Sequence, residues 1–259
     1  MNSISNTSSI KRIASTILAF LLFALSSNAQ IGLQSDLNHD KKVNVSDVSL
    51  LLSLIMNHVT DAAVEAGLCP NAMHPHLIDL GLPSGTKWAC CNVGADYPFQ
   101  YGDYYSWGEM ATKIDYYNHN SLFYNSGDDS WLSLGDDIAQ TNWDVAYLKW
   151  GTDYRMPSHA QIQELVENCT STWTTFNKVN GRLFTAQNGN KVFLPAAGHR
   201  WNDYFYDAGS GGYYWSSTQD PSNSSSAYGL VFYSGSANYN RIYGRFYGRS
   251  VRPVSAVFH

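Results

Sequence analysis

Charge is what this chain has least of. Only 14% of its 259 residues are Asp, Glu, Lys or Arg, and 16 basic against 21 acidic side chains leave a formal net charge of −5. Binding phosphates needs a concentrated basic face, which this composition does not supply, so a nucleic-acid partner is disfavoured. Also missing is an apolar run long enough to cross a bilayer: Ile13 to Leu25 falls short of the roughly 18 to 20 residues required, and no later stretch approaches it. Cysteine is confined to Cys69, Cys90, Cys91 and Cys169, with no Cys-x-x-Cys spacing. A zinc centre is therefore the lesser alternative to disulfides.

What is present begins at the N-terminus. Lys11 and Arg12 precede the apolar run, and Ser27-Asn28-Ala29 follows it as a small-residue cleavage site. Residues 1–29 read as a signal peptide, with Gln30 as the new N-terminus and a secreted or cell-surface protein as the product. No cysteine stands at the cleavage site, so no lipid-bearing thiol is available there. In an oxidising compartment four cysteines suggest two disulfides in one of three pairings. A bond between the neighbours Cys90 and Cys91 would be strained, and the expected pairs are Cys91 with Cys169 and Cys69 with Cys90. Aromatic residues, by contrast, are plentiful: 8 Trp, 18 Tyr and 11 Phe. Most of these rings are expected to fill the core, and the remainder suit recognition of sugars or proteins.

Residues 30–58 form a distinct unit. Asp36, Asn38, Asp40, Asn44 and Asp47 stand at positions 1, 3, 5, 9 and 12 of a twelve-residue stretch, the spacing from which oxygen ligands wrap Ca2+. Val48, Leu51, Leu52 and Ile55 then recur at helical spacing, so the loop feeds an amphipathic helix. Too few residues remain before the loop for the entering helix of an EF-hand. This loop–helix unit resembles one repeat of a type I dockerin, which implies docking to a cohesin-like scaffold. It departs from that family in having no second repeat, Lys41 in place of the turn glycine, and Asp47 in place of the longer Glu. Residues 59–75 read as a linker, with His74-Pro75-His76 as polar spacer.

From residue 76 to residue 259 the chain alternates short aromatic runs with turns. One helix is clear: Ser158 and Gln161 form a capping box, and Ile162, Leu165, Val166 and Cys169 make one apolar stripe. Strands are expected at Leu77 to Leu80, Thr86 to Asn92, Lys191 to Ala196, Gly212 to Ser217, Ala227 to Tyr233 and Ser250 to Val257, with long loops over 94–145 and 197–211. The fold class is α+β, with short strands, long loops and at least one helix. Asp128-Asp129 and Asp136-Asp137 are expected to be solvated loop acids or a calcium-binding patch, because adjacent carboxylates rarely face each other across a substrate. No Gly-x-Ser-x-Gly elbow surrounds Ser216 and Ser217.

Six strings occur in order: Ile78 to Trp88, Tyr101 to Glu109, Tyr154 to Ser158, Phe193 to Gly198, Gly212 to Thr218 and Gly248 to Val254. Together they resemble the Fibrobacter succinogenes major paralogous domain, found in exported proteins of Bacteroidetes. The resemblance implies a C-type-lectin-like fold, shared with formylglycine-generating enzymes. Oxidase chemistry of that kind needs a late pair of thiols to hold copper, and no cysteine follows Cys169, so the chain is expected not to be an enzyme. In that fold the ligand face is built by long loops and late strands. Here those carry Trp201, Tyr204, Tyr206, Tyr239, Arg241 and Tyr243 as ligand-binding candidates, beside Phe205, Tyr228, Tyr233 and Arg245. Flat rings cover apolar sugar faces while Asn, Asp and Arg bond hydroxyls, and the same composition serves protein-binding loops. The expected function is non-enzymatic binding of a glycan or a cell-surface protein. The alternative is an accessory of polysaccharide degradation docked to a scaffold through the calcium module.

Overall fold

The computed structural model describes residues 76–255. Of the two compact units into which the chain divides, Met1–Asp61 and Ala62–His259, these residues belong to the second. The residues expected to form the signal peptide, the calcium loop with its helix and the linker, together with Cys69, lie outside the described residues.

The described chain is rich in short antiparallel strands. β1 (Leu77–Asp79) and β2 (Lys87–Ala89) open it; β3 (Tyr124–Asn125) and β4 (Ser130–Trp131) form a small hairpin; helix α1 (Val145–Trp150), β5 (Tyr154–Arg155) and helix α2 (His159–Asn168) follow. Then come β6 (Thr170–Phe176), β7 (Val179–Thr185), β8 (Lys191–Pro195), β9 (His199–Trp201), β10 (Tyr204–Tyr206), β11 (Gly212–Gln219), β12 (Ser226–Phe232), β13 (Ala237–Gly244) and β14 (Val254–Ser255). They make sheets in the orders β1-β2-β14-β5, β6-β7-β8 and β11-β12-β13, with β3-β4 and β9-β10 as separate hairpins. A β-rich α+β architecture results.

The helices start where their caps dictate. Ser158 Oγ accepts from Gln161 N while the Gln161 side chain returns to Ser158 N, satisfying two N–H groups that the helix leaves unpaired. Ile162, Leu165 and Cys169 are buried as the stripe requires, and α2 lies against β11, β12 and β13. Asp144, fully buried, caps α1 by accepting from Ala146 N and Tyr147 N, and it also accepts from Gln140 N and Met156 N.

β11 divides the core. Successive side chains of a strand point to opposite faces, so Tyr214 joins Leu165, Phe193, Leu230, Phe232 and Val254 on one side. Trp215 joins Tyr105, Trp107, Val145, Met156 and Val251 on the other. Both tryptophan N–H groups on that side are satisfied, Trp215 Nε1 by Tyr105 O and Trp107 Nε1 by Ser216 O, each at 2.8 Å. Burying each such ring contributes roughly 2–3 kcal/mol.

Three expectations change here, and the strand expected from Thr86 to Asn92 is one of them, being only Lys87–Ala89. The strand expected from Ser250 to Val257 shrinks, within the described residues, to Val254–Ser255, because Pro253 has no N–H to give a ladder. Upstream of it Ser250 makes only an isolated bridge to Tyr214. The bridge expected between Cys91 and Cys169 is not formed. Cys169 is a free, buried thiol at the C-cap of α2, pushed up to about 11 by burial. Cys91 Sγ instead lies 3.2 Å from Cys90 Sγ, a contact distance well beyond the roughly 2.05 Å of a disulfide. His76 Nδ1 is 3.5 Å from Cys90 Sγ.

Three arginines of the closing segment, Arg245, Arg249 and Arg252, are buried, and each is housed differently. Arg252 spends its guanidinium on oxygens: Nε on Asn92 Oδ1 at 2.8 Å, Nη1 on Ala89 O and Cys90 O at 3.0 and 2.5 Å, Nη2 on Phe193 O at 3.0 Å. Arg245 donates Nη1 to Leu132 O and Ser224 O, and sits 4.7 Å from the Trp107 ring centroid. Arg249 is held almost entirely by rings.

Candidate functional site

The loop expected over 197–211 contains the β9–β10 hairpin, and this is where exposed aromatic surface gathers. Trp201 pairs with Tyr204, Arg200 with Phe205 and His199 with Tyr206. Asn202 begins the two-residue turn with a φ of 55°, a left-handed conformation that Asn tolerates better than most residues. The outer edge of β9 is tied down at two points. Arg200 exchanges backbone hydrogen bonds with Gly248 at 2.7 and 3.0 Å, and Asn202 with Tyr116 at 2.9 and 3.2 Å.

The pleat sorts its side chains into two faces. Phe205, itself 45% exposed, and Arg200 take one face: Phe205 meets Tyr104 edge-on at 5.1 Å, and the Arg200 guanidinium lies 5.8 Å from the Tyr116 ring. Trp201, Tyr204 and Tyr206, with exposures of 41%, 61% and 36%, share the other face with His199. Their ring centroids are 5.9 Å apart for Trp201 and Tyr206, and 6.2 Å for Tyr204 and Tyr206. Tyr247 extends this surface, 6.1 Å from Trp201, and Tyr243 lies 6.3 Å beyond it.

Beneath Tyr243 lies Arg249. Its guanidinium carbon is 3.6 Å from the Tyr243 centroid, 4.5 Å from Trp215, 5.4 Å from Tyr213 and 5.7 Å from Tyr247. Burial lowers Arg249 to about 10, which leaves it charged at neutral pH. His199 packs 4.3 Å from Tyr213. Burial, and after it the charge of Arg249, brings His199 down to about 4, so the ring is neutral. Asp207 accepts from the Tyr213 hydroxyl at 2.5 Å.

That depression sets a pH dependence. Between about pH 6.5 and about pH 4 the unfolded chain binds a proton that folded His199 refuses, so stability falls as pH is lowered through this window. Because the ring is partly exposed, the expected loss is only about 1 kcal/mol. Urea unfolding at about pH 7 and about pH 4.5 should show that much more loss in wild type than in His199→Gln. Equal losses would mean that His199 titrates as an ordinary histidine.

Of the six candidates, the structure brings together Trp201, Tyr204 and Tyr206 directly, and Tyr243 through Tyr247. Arg241 is exposed on β13, two residues from Tyr243 and so on the same face of the strand. Tyr239 is elsewhere. β13 carries a bulge opposite Gly229 to Val231, which turns Tyr239 toward α2, where its hydroxyl donates to Glu167 at 2.6 Å. Tyr228 is likewise on the α2 side, stacked 4.2 Å from His159. Arg245 is buried rather than presented to a ligand. His199, Tyr213, Tyr247 and Arg249 were not among the candidates. Arg249 stood in the string Gly248 to Val254, but nothing in its neighbours signals burial among rings.

A separate groove of about 360 Å³ runs along β3–β4, lined by residues that include Phe123, Tyr124 and Trp131. Asp128, Asp129, Asp136 and Asp137 are exposed, as expected of loop acids. Among the described residues no group of three or more His, Cys, Asp or Glu is placed to hold a metal, and no helix is long and apolar enough to cross a membrane. The residues expected to bind calcium, Asp36, Asn38, Asp40, Asn44 and Asp47, lie outside the described residues. Compared with known proteins, the chain matches no family model, no curated protein and no solved structure.

Proposed function

We propose that this chain is an exported carbohydrate-binding protein, a C-type-lectin-like domain behind a small calcium-binding loop–helix module. The observation that carries the reading is the outer face of β9–β10. Three large rings stand exposed there on a backbone locked along the outer edge of β9. Single exposed apolar residues are ordinary on a protein surface, but a contiguous group marks a contact site. Tyr and Trp are suited to it because each offers a flat apolar area with a polar handle and little rotamer entropy to lose. The C–H faces of a pyranose ring stack on such rings, while the Tyr hydroxyls and Asp203 at the turn reach sugar hydroxyls. Because the hairpin is fixed before the ligand arrives, little ordering cost accompanies binding. Recognition of a cell-surface protein would use the same rings. The dockerin-like repeat would tether the domain to a scaffold.

The test is an array of plant and host glycans probed with the mature chain, Gln30 to His259. Trp201→Ala and Tyr204→Ala are each expected to weaken binding about tenfold or more, ~1.4 kcal/mol. Tyr239→Ala, on the opposite side of its strand, is expected to leave binding unchanged. A blank array with a folded protein, or a hit insensitive to both hairpin substitutions, would refute the reading and turn attention to protein partners.

A further inference from the structure

The housing of Arg249 narrows the ligand further. Buried cations are expensive unless paired or fully hydrogen-bonded. Arg252 meets that condition with four oxygens, whereas Arg249 does not. Its Nε and Nη1 are buried without a hydrogen-bond partner, and the two ion pairs among the described residues, Lys87 with Asp79 and Lys113 with Glu109, do not involve it. Ring faces attract the cation by about 1–2 kcal/mol each at most, but they take none of its N–H groups. The nearby carboxylate of Asp207 is engaged by the Tyr213 hydroxyl. His199 Nδ1, on the same wall, is also buried without a partner.

The ladder shows which way the unfilled donor points. A Cβ built on Gly229 would stand 3.4 Å from Arg249 Nη1, so Nη1 lies on the side of the sheet toward which a side chain at 229 would project. Gly229 pairs with Arg241, and directly opposed residues project to the same side with Cβ atoms about 5 Å apart. The stem of Arg241 therefore leaves the strand beside Nη1. Arg241, exposed, thus shares a face of β13 with Tyr243, beneath which Arg249 is buried with Nε and Nη1 unfilled. An anion held by the exposed guanidinium on this face is attracted by the buried charge as well.

We infer that the glycan carried on the Trp201 hairpin is acidic, with a carboxylate or sulfate group seated beside Tyr243 between Arg241 and Arg249. This rests on the carbohydrate-binding reading above. Arg241 supplies the planar fork that matches either anion, and Arg249 supplies a fixed charge that solvent screens poorly. The protein as a whole is acidic, at −5, so a preference for polyanions has to come from a local feature of this kind.

The experiment uses an array of matched pairs, each uronic-acid glycan beside its methyl ester and each sulfated glycan beside its desulfated form, probed with the mature chain. The expected result is at least tenfold tighter binding to the charged member of ester pairs, of sulfate pairs or of both, which also identifies the anion. That preference should fall to less than threefold on Arg241→Ala, be partly retained by Arg241→Lys, and weaken with added salt. Arg249→Met should act in the same direction; if it does not fold, the exposed Arg241 substitutions carry the test. Equal binding of charged and uncharged members, lost on Trp201→Ala, would overturn the inference while leaving the carbohydrate reading intact. So would an acidic preference that Arg241→Ala leaves unchanged. A blank array with wild-type protein would remove both.

Discussion

Arg252→Met is expected to destabilise the domain by ~4 kcal/mol, enough to lower its melting temperature by about 8–16 °C or to prevent folding. Methionine matches the length and bulk of the arginine stem, so packing is nearly conserved and the loss reports on hydrogen bonding. Four oxygens, on Asn92, Ala89, Cys90 and Phe193, would lose a charge-assisted donor inside a region closed to water. An unfilled buried acceptor costs about 1–3 kcal/mol, and partial relaxation keeps the sum below four full penalties. Arg252→Lys keeps the charge but offers one ammonium to acceptors spread around a planar fork, so it should recover less than half of the loss. Urea or thermal unfolding checks both. A loss under about 1 kcal/mol for Arg252→Met would mean that water replaces the guanidinium, and that the strand ends it joins are not closed to solvent.

Gly198→Ala is expected to cost ~3 kcal/mol and to disturb the aromatic face. Gly198 has a φ of 65°, and a Cβ there would stand 2.1 Å from Tyr206 O and 2.7 Å from Ala208 N. Left-handed backbone alone costs an alanine about 1 kcal/mol. The clash adds to it because the opposing atoms are backbone, which cannot swing aside as a side chain would. Gly189 supplies the control: its φ is 86° and nothing lies within 4 Å of its Cβ position, so Gly189→Ala should show the conformational penalty by itself. The difference between the two substitutions measures the close approach of residue 198 to the end of β10. Near-ultraviolet circular dichroism, sensitive to Trp201 and its neighbours, should change for Gly198→Ala only. Equal stability losses for the two would mean that the hairpin shifts freely to make room.

How much of this could be read in advance depended on the kind of signal. α2 was legible because Ser158 and Gln161 announce its start and a single apolar stripe follows; β8, β11 and β12 were legible because they are apolar on both sides, as strands between two cores must be. β6 and β7 were not. Their turn, Asn177-Lys178, takes φ values of 45° and 67° without the glycine that usually marks such a turn, and β6 is mostly Thr and Ser. β13 was hidden by its polar, exposed residues, and with it the bulge that separates Tyr239 from Tyr243. The exposed rings of the site were legible as composition, since Trp201, Tyr204 and Tyr206 stand together in the chain. Arg249 was not, because burial of a cation among aromatic faces draws on residues far away in sequence, Tyr213 and Trp215. The cysteines misled in the opposite way: even count and helix placement suggested a bond between Cys91 and Cys169, whose thiols share one apolar cluster without being joined.

β14 enters its sheet between β2 and β5, so a strand near the end of the described chain is inserted among those made first. A nascent or translocating polypeptide holding only β1 to β5 has a gap at the centre of that sheet, with unpaired edges facing inward and the oxygens that Arg252 will later fill still seeking water. Closure must wait for pairings between strands as far apart in sequence as Trp88 and Val254, which makes assembly slow and nearly all-or-none. The domain behaves less like beads that set one by one than like a clasp whose last link is also its keystone.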